Sequence, residues 1–181
     1  MSLHLNDPLL LFGKGLALFF QGLFALLGIA VIIIIPAVLL ASQDMLPESF
    51  DVDLPIIDAS ATSVLVIAIL LLIIAAAMIM FFGNLRAIIR TVGDGDPFIP
   101  DNAQRLNTMA WLLLGVQVAG LFVGALRLYL ANAVAGTADA RESLDLGIND
   151  FEGLIMALIL FILARVFRHG AAMRADLEGT V

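Results

Sequence analysis

Four long runs of apolar side chains, separated by short polar segments, make up most of the chain. They extend from about residue 16 to 41, 60 to 82, 108 to 130 and 151 to 167. Crossing the hydrocarbon core of a bilayer takes about 20 predominantly apolar residues. The runs are continuously apolar and lack the alternation of a barrel strand, so each predicts a spanning helix. The fourth is the shortest and carries charge near both ends, and Arg165 extends it by snorkelling toward the headgroups. The first run exceeds the roughly 7–15 apolar residues of a cleaved leader. Only Lys14 precedes it, and Leu39-Leu40-Ala41 lacks a small residue at the −3 position, so it reads as a retained helix.

Polar punctuation refines these boundaries. Asp7-Pro8 fits an N-cap followed by proline at the first helical position. Pro36 removes a backbone donor near the far end of the first span, where a kink is expected. Asp101-Asn102-Ala103-Gln104 and Asn149-Asp150-Phe151-Glu152 have capping-box spacing ahead of spans three and four. Gly95 and Pro97 predict a turn between spans two and three. There is no internal repeat or inverted pair of broken helices, which weighs against a secondary transporter.

Orientation follows from counting Lys and Arg beside the span ends. Lys14, Arg86, Arg90, Arg105, Arg165, Arg168 and Arg174 share one side, against Arg127 and Arg141 on the other. That bias puts both termini in the cytoplasm. Ten of the sixteen acidic residues fall on the outer side, among them Asp44, Glu48, Asp51, Asp53 and Asp58. Acidic residues contribute little to insertion, so they describe the outer surface without having set the orientation.

Composition supports the same class. Apolar residues make up 62% of the 181 positions and charged ones 14%, with a mean hydropathy of +1.08. Soluble domains average roughly 45–50% and 25%, so soluble, disordered and fibrous classes are excluded. A net charge of −7 argues against direct nucleic-acid binding. The chain has no cysteine, which removes disulfides, thiolate metal sites and thiol catalysis.

Candidate chemistry is sparse. His4 and His169 stand near opposite chain ends, and neither has a ligand partner at helical spacing. No nucleophile elbow or phosphate-binding loop is present, so no catalytic, cofactor or metal site is predicted and the chain reads as a non-enzyme. Asp94, Asp96 and Asp101 miss the calcium-loop spacing and fit a plain turn. Within the spans, Gln21 and Gln117 either line a small polar pocket or, as favoured here, make interhelical hydrogen bonds. Arg127 and Glu152 are expected to pair across spans three and four. Gly115, Gly120 and Gly124 form a small-residue stripe on span three, expected to pack inside the bundle.

The arginine-bearing side carries more information. Arg86 and Arg90 are four residues apart and Arg165 and Arg168 three apart, so each pair shares a helix side. Anchoring to anionic lipid is their main expected role, worth about 1 kcal/mol per residue. The same helix ends, with Asp94-Gly95-Asp96-Pro97-Phe98 between them, also suit a docking surface whose exposed anchor is Phe98.

Gly95-Asp96-Pro97-Phe98, then Asn102, then Arg105-Leu106, resembles the central loop of a bacterial domain-of-unknown-function family of small four-helix inner-membrane proteins. Glu152-Gly153-Leu154, Leu163 to Gly170 and the ending Asp176 to Val181 resemble the same family, with Arg165 standing where an acidic residue is common. The resemblance covers nearly the whole chain in topology, and its motifs cover the central loop and final third. It implies a protein often encoded beside a Cro/CI-type helix-turn-helix regulator, hence a sensor that partners a transcription factor.

The combined expectation is a single all-α domain over residues 1–181, an integral membrane four-helix bundle of the bacterial inner membrane. The leading functional expectation is a regulatory or sensory protein contacting a cytoplasmic partner through Arg86, Arg90, Gly95 to Phe98, Asn102, Arg105, Arg165 and Arg168. The alternatives are an accessory subunit of a larger membrane complex, and a permease or lipid-binding bundle around the two glutamines.

Overall fold

The computed structural model of the protein describes residues 8–41, 55–135 and 149–178, with side chains described at 8–40, 62–130 and 152–177. The described residues form four helices: α1 (Pro8–Ala41), α2 (Pro55–Gly93), α3 (Pro100–Ala135) and α4 (Asn149–Glu178). All four are long and apolar enough to cross a membrane. The protein is therefore an all-α, multi-pass membrane protein. The acidic segments at 42–54 and 136–148, with Arg141, lie outside the described residues.

Three helices begin on a proline, where the missing backbone N–H has no helical acceptor to lose. For α3 this moves the predicted cap. Pro100 is the first helical residue, so Asp101 sits inside the first turn and does not cap it. Ile99 instead accepts the Asn102 backbone N–H at 3.1 Å. The end of α2 is closed by a Schellman turn. Gly95 adopts φ +82°, its N–H donates to the Val92 carbonyl at 3.1 Å, and the Asp96 N–H donates to the Thr91 carbonyl at 3.0 Å. The predicted Gly95–Pro97 interruption is thus a built helix stop.

Helices of 30 to 39 residues are roughly 45–60 Å long, well beyond a hydrocarbon core of about 30 Å. For α2, α3 and α4 much of the excess lies at the arginine-bearing end. In the turns on either side of the membrane boundary there, Ile88, Leu106, Met109, Ala110, Leu160 and Ala164 form a buried cluster that joins α2, α3 and α4, with Phe81, Leu85, Phe161 and Phe167 packed against it.

Helices pack in chain order: α1 on α2, α2 on α3, α3 on α4. Among the described residues α1 packs against neither α3 nor α4, so the bundle is open. Small residues set the α1–α2 seam. Gly28 lies against Ala75, Gly13 against Ile89, and Phe20 stacks on Phe82 with ring centroids 5.2 Å apart. On α4 the buried Ala157, Leu160, Ala164 and Ala171 recur at steps of three, four and seven residues, one helix side, and face α3.

Two expectations are corrected. Gly115, Gly120 and Gly124 are exposed on α3, and no described side chain or neighbouring backbone stands within 4 Å of a Cβ at any of them. Among the described residues no helix is packed directly on the stripe. Arg127 and Glu152 are both exposed, and among the described residues no ion pair joins them. Gln117 and Gly153 mark the facing sides of α3 and α4, and Arg127 follows Gln117 by ten residues, turning it about 80° off that side. Glu152 is about 100° from Gly153 for the same reason.

Candidate functional site

The 94–99 loop joins α2 to α3 at the arginine-bearing end, and one buried side chain organises it. Asn102 is fully excluded from solvent. Its amide nitrogen donates to the Thr91 hydroxyl oxygen at 2.7 Å and to the Pro97 carbonyl at 2.9 Å. Its amide oxygen accepts from Arg105 at 2.8 Å. Thr91 in turn donates to the Ile88 carbonyl at 2.8 Å. One amide therefore ties the last turn of α2, the loop backbone and the first turns of α3. A buried amide with every group satisfied is rigid, because releasing any partner leaves a desolvated polar atom.

The charges around the loop are paired one by one. Arg90 approaches Asp94 at 4.0 Å and Arg105 approaches Asp101 at 3.9 Å, each within one helix turn. Asp96 pairs with Arg174 of α4, the one long-range ion pair among the described residues. Asp94, Asp96 and Asp101 thus each face an arginine of their own. Among the described residues no three His, Cys, Asp or Glu side chains converge.

Phe98 completes the bracing. Its ring packs on Phe167 with centroids 5.2 Å apart and lies over Gly170, where a Cβ would come within 2.7 Å of Cδ1. It remains 43% exposed. The expected free anchor is therefore half docked onto α4, held by a glycine that leaves room for the ring.

The remaining predicted residues divide. Arg86 is half-buried on α2, while Arg165 and Arg168 stand exposed on α4. None of the three has a hydrogen-bond or ion-pair partner among the described residues. Gln21 donates to the Ile79 carbonyl across α1 and α2 at 3.4 Å, as favoured from the sequence. Gln117 sits at the α3–α4 interface directly over Gly153. The two glutamines occupy separate interfaces, Gln21 between α1 and α2 and Gln117 between α3 and α4.

Sequence reasoning did not single out Thr91, nor Arg174 as the partner of Asp96. Thr91 carried a usable signal, a hydroxyl in the last turn of a helix facing a turn. The Asp96–Arg174 pair, 78 residues apart, carried none.

No curated protein and no solved structure matches the chain. A family model does match, over residues 44–181, which takes in α2, α3, α4 and the braced loop but not α1. The loop motif and the α4 motif identified from the sequence both fall inside that stretch, and the chain belongs to the family described as "Protein of unknown function (DUF2975)".

Proposed function

We propose that this protein is a non-catalytic regulatory or sensory component of a bacterial inner membrane. In this reading both termini and the 94–99 loop face the cytoplasm, and the loop docks a small soluble partner such as a Cro/CI-type helix-turn-helix regulator. The supporting observation is the Asn102 clamp. An exposed loop fixed by a fully buried amide, a paired aspartate and a seated phenylalanine presents the same surface to every encounter. A preorganised loop loses less entropy on binding than a mobile one. Arg86 and Arg90 flank that surface on α2.

Photo-crosslinking in membranes tests the reading. The probe belongs at Asp94, whose side chain is 64% exposed, because Phe98 is committed to α4. Adducts should form with a regulator from the same genome, at its expected mass, and vanish when the regulator is deleted. Capture of lipid alone counts against it, as would reporter fusions that place the two termini on opposite sides.

A second reading is favoured by the open glycine stripe. Gly120 and Gly124 let a helix from another membrane subunit approach at backbone distance. Native mass analysis after mild extraction should then show a stoichiometric membrane partner that is lost on Gly120→Leu.

A further inference from the structure

The flank of α4 turned toward α3 holds a groove of about 480 Å³ at the arginine-bearing end. Arg165, Arg168 and His169 line it from α4 and Asn107 from α3, over a floor that includes Phe161 and Ala164. No acidic residue lines it. The first carboxylate along this α4 face is Asp176, a turn beyond the groove, and it has an interaction of its own.

The contrast with the other arginines is informative. Arg90, Arg105 and Arg174 each face a carboxylate, whereas Arg165 and Arg168 face none among the described residues. The neighbouring groove beside Phe98 shares Arg165 and His169 with this one, but it lacks Arg168, and its other arginine, Arg174, is already paired with Asp96. Arg86 on α2 is likewise without a described carboxylate, but only in the first groove do two such arginines, Arg165 and Arg168, come together. Guanidinium groups there match the geometry of a phosphate, and Asn107 adds a neutral donor.

Depth decides the source of the phosphate. Phe161 meets Trp111 edge-on, with centroids 5.4 Å apart, and Trp111 is 62% exposed. Indole at a helix surface one turn inside the arginines marks the interfacial belt of a bilayer. The groove therefore opens where headgroups lie, and its aromatic floor continues toward the acyl chains. We propose that it is a discrete binding site for the phosphate of an anionic glycerophospholipid, held by Arg165 and Arg168 with the chains running past Phe161 and Trp111. This goes beyond diffuse charge attraction, and it does not depend on what docks at the loop.

Trp111 is the single tryptophan of the chain and so reports on the site directly. The full-length protein is placed in phosphatidylcholine nanodiscs doped with bromine-labelled phosphatidylglycerol or bromine-labelled phosphatidylcholine. Trp111 should be quenched at far lower mole fractions of the anionic lipid. R165Q/R168Q should weaken that preference roughly thirtyfold, from two surface cation–lipid contacts. R86Q/R90Q removes the same charge from α2 and should leave it intact. Ala172→Phe fills the groove while keeping both arginines, and it too should abolish the preference. Unchanged helicity and unquenched emission confirm that each variant is folded. Equal losses from both arginine pairs, or an unaffected Ala172→Phe protein, overturn the site in favour of diffuse attraction. Relief of quenching by millimolar glycerol phosphate would reassign it to a soluble phosphate compound.

Discussion

The ring of Phe98 occupies the space that a side chain on Gly170 would need. A Cβ there would lie 2.7 Å from Cδ1 and 3.1 Å from Cε1. The contact joins the α2–α3 loop to the far end of the chain, 72 residues on, and with Asp96–Arg174 it seats the loop against α4.

Gly170→Ala is therefore expected to displace Phe98 and destabilise the helix ends by about 1–2 kcal/mol, the usual range for overpacking. Thermal unfolding in detergent measures this. The double variant with Phe98→Leu should recover much of the loss, because the smaller side chain vacates the clash. Simple additivity of the two effects would refute the contact.

Asn102→Ala should be the more damaging change. It leaves Arg105 without its amide partner and the Pro97 carbonyl without a donor, at a cost of about 2–3 kcal/mol. Hydrogen exchange at 94–99 should accelerate, while the α1–α2 seam, which Asn102 does not touch, stays protected.

The Asp96–Arg174 pair is partly exposed, with side chains 39% and 47% accessible. Solvent screening limits it to roughly 0–1 kcal/mol. Asp96→Asn should scarcely move the unfolding midpoint but should speed proteolysis of the end of α4. Exchanging the two charges should restore protection in low salt. An unchanged proteolysis rate in both variants would show the pair to be incidental.

Gly153→Ala is expected to force Gln117 off its seat and weaken α3–α4 packing by about 1–3 kcal/mol. Gln117→Ala in the same chain should relieve most of that. Gln21→Leu, which loses one long interhelical bond, should cost under about 1 kcal/mol.

Gly120→Ala, by contrast, should leave the isolated protein as stable or up to about 1 kcal/mol more so, since a Cβ there meets nothing. A clear fall in the unfolding temperature of the monomer would mean that the stripe is packed after all.

Much of this architecture was legible in the sequence because a bilayer imposes simple rules on it. Length and apolar content set the number of spans, and Pro8 and Gly95 marked where helices start and stop. The loop motif around Asn102 was also legible as a place of interest. Its working was not, since capping-box spacing at 101–104 looks the same whether Asp101 caps the helix or lies inside it. The glycine stripe misled for a related reason: a small-xxx-small pattern says that a helix can approach, not that one does.

The sequence by itself determined the solvent, the four spans and the gathering of arginines at one end. Those properties are sums and periodicities along the chain, and bilayer thickness reads them directly. Only tertiary structure decided which described arginines are paired and which are not, which glycines are filled by a neighbour's ring or amide, and that among the described helices α1 packs on α2 alone. The reason is that lipid-immersed helices are apolar nearly all round, so no polar stripe tells one apolar face from another. Partners are then chosen by shape, as where Gly153 faces Gln117, at contacts that no local pattern records.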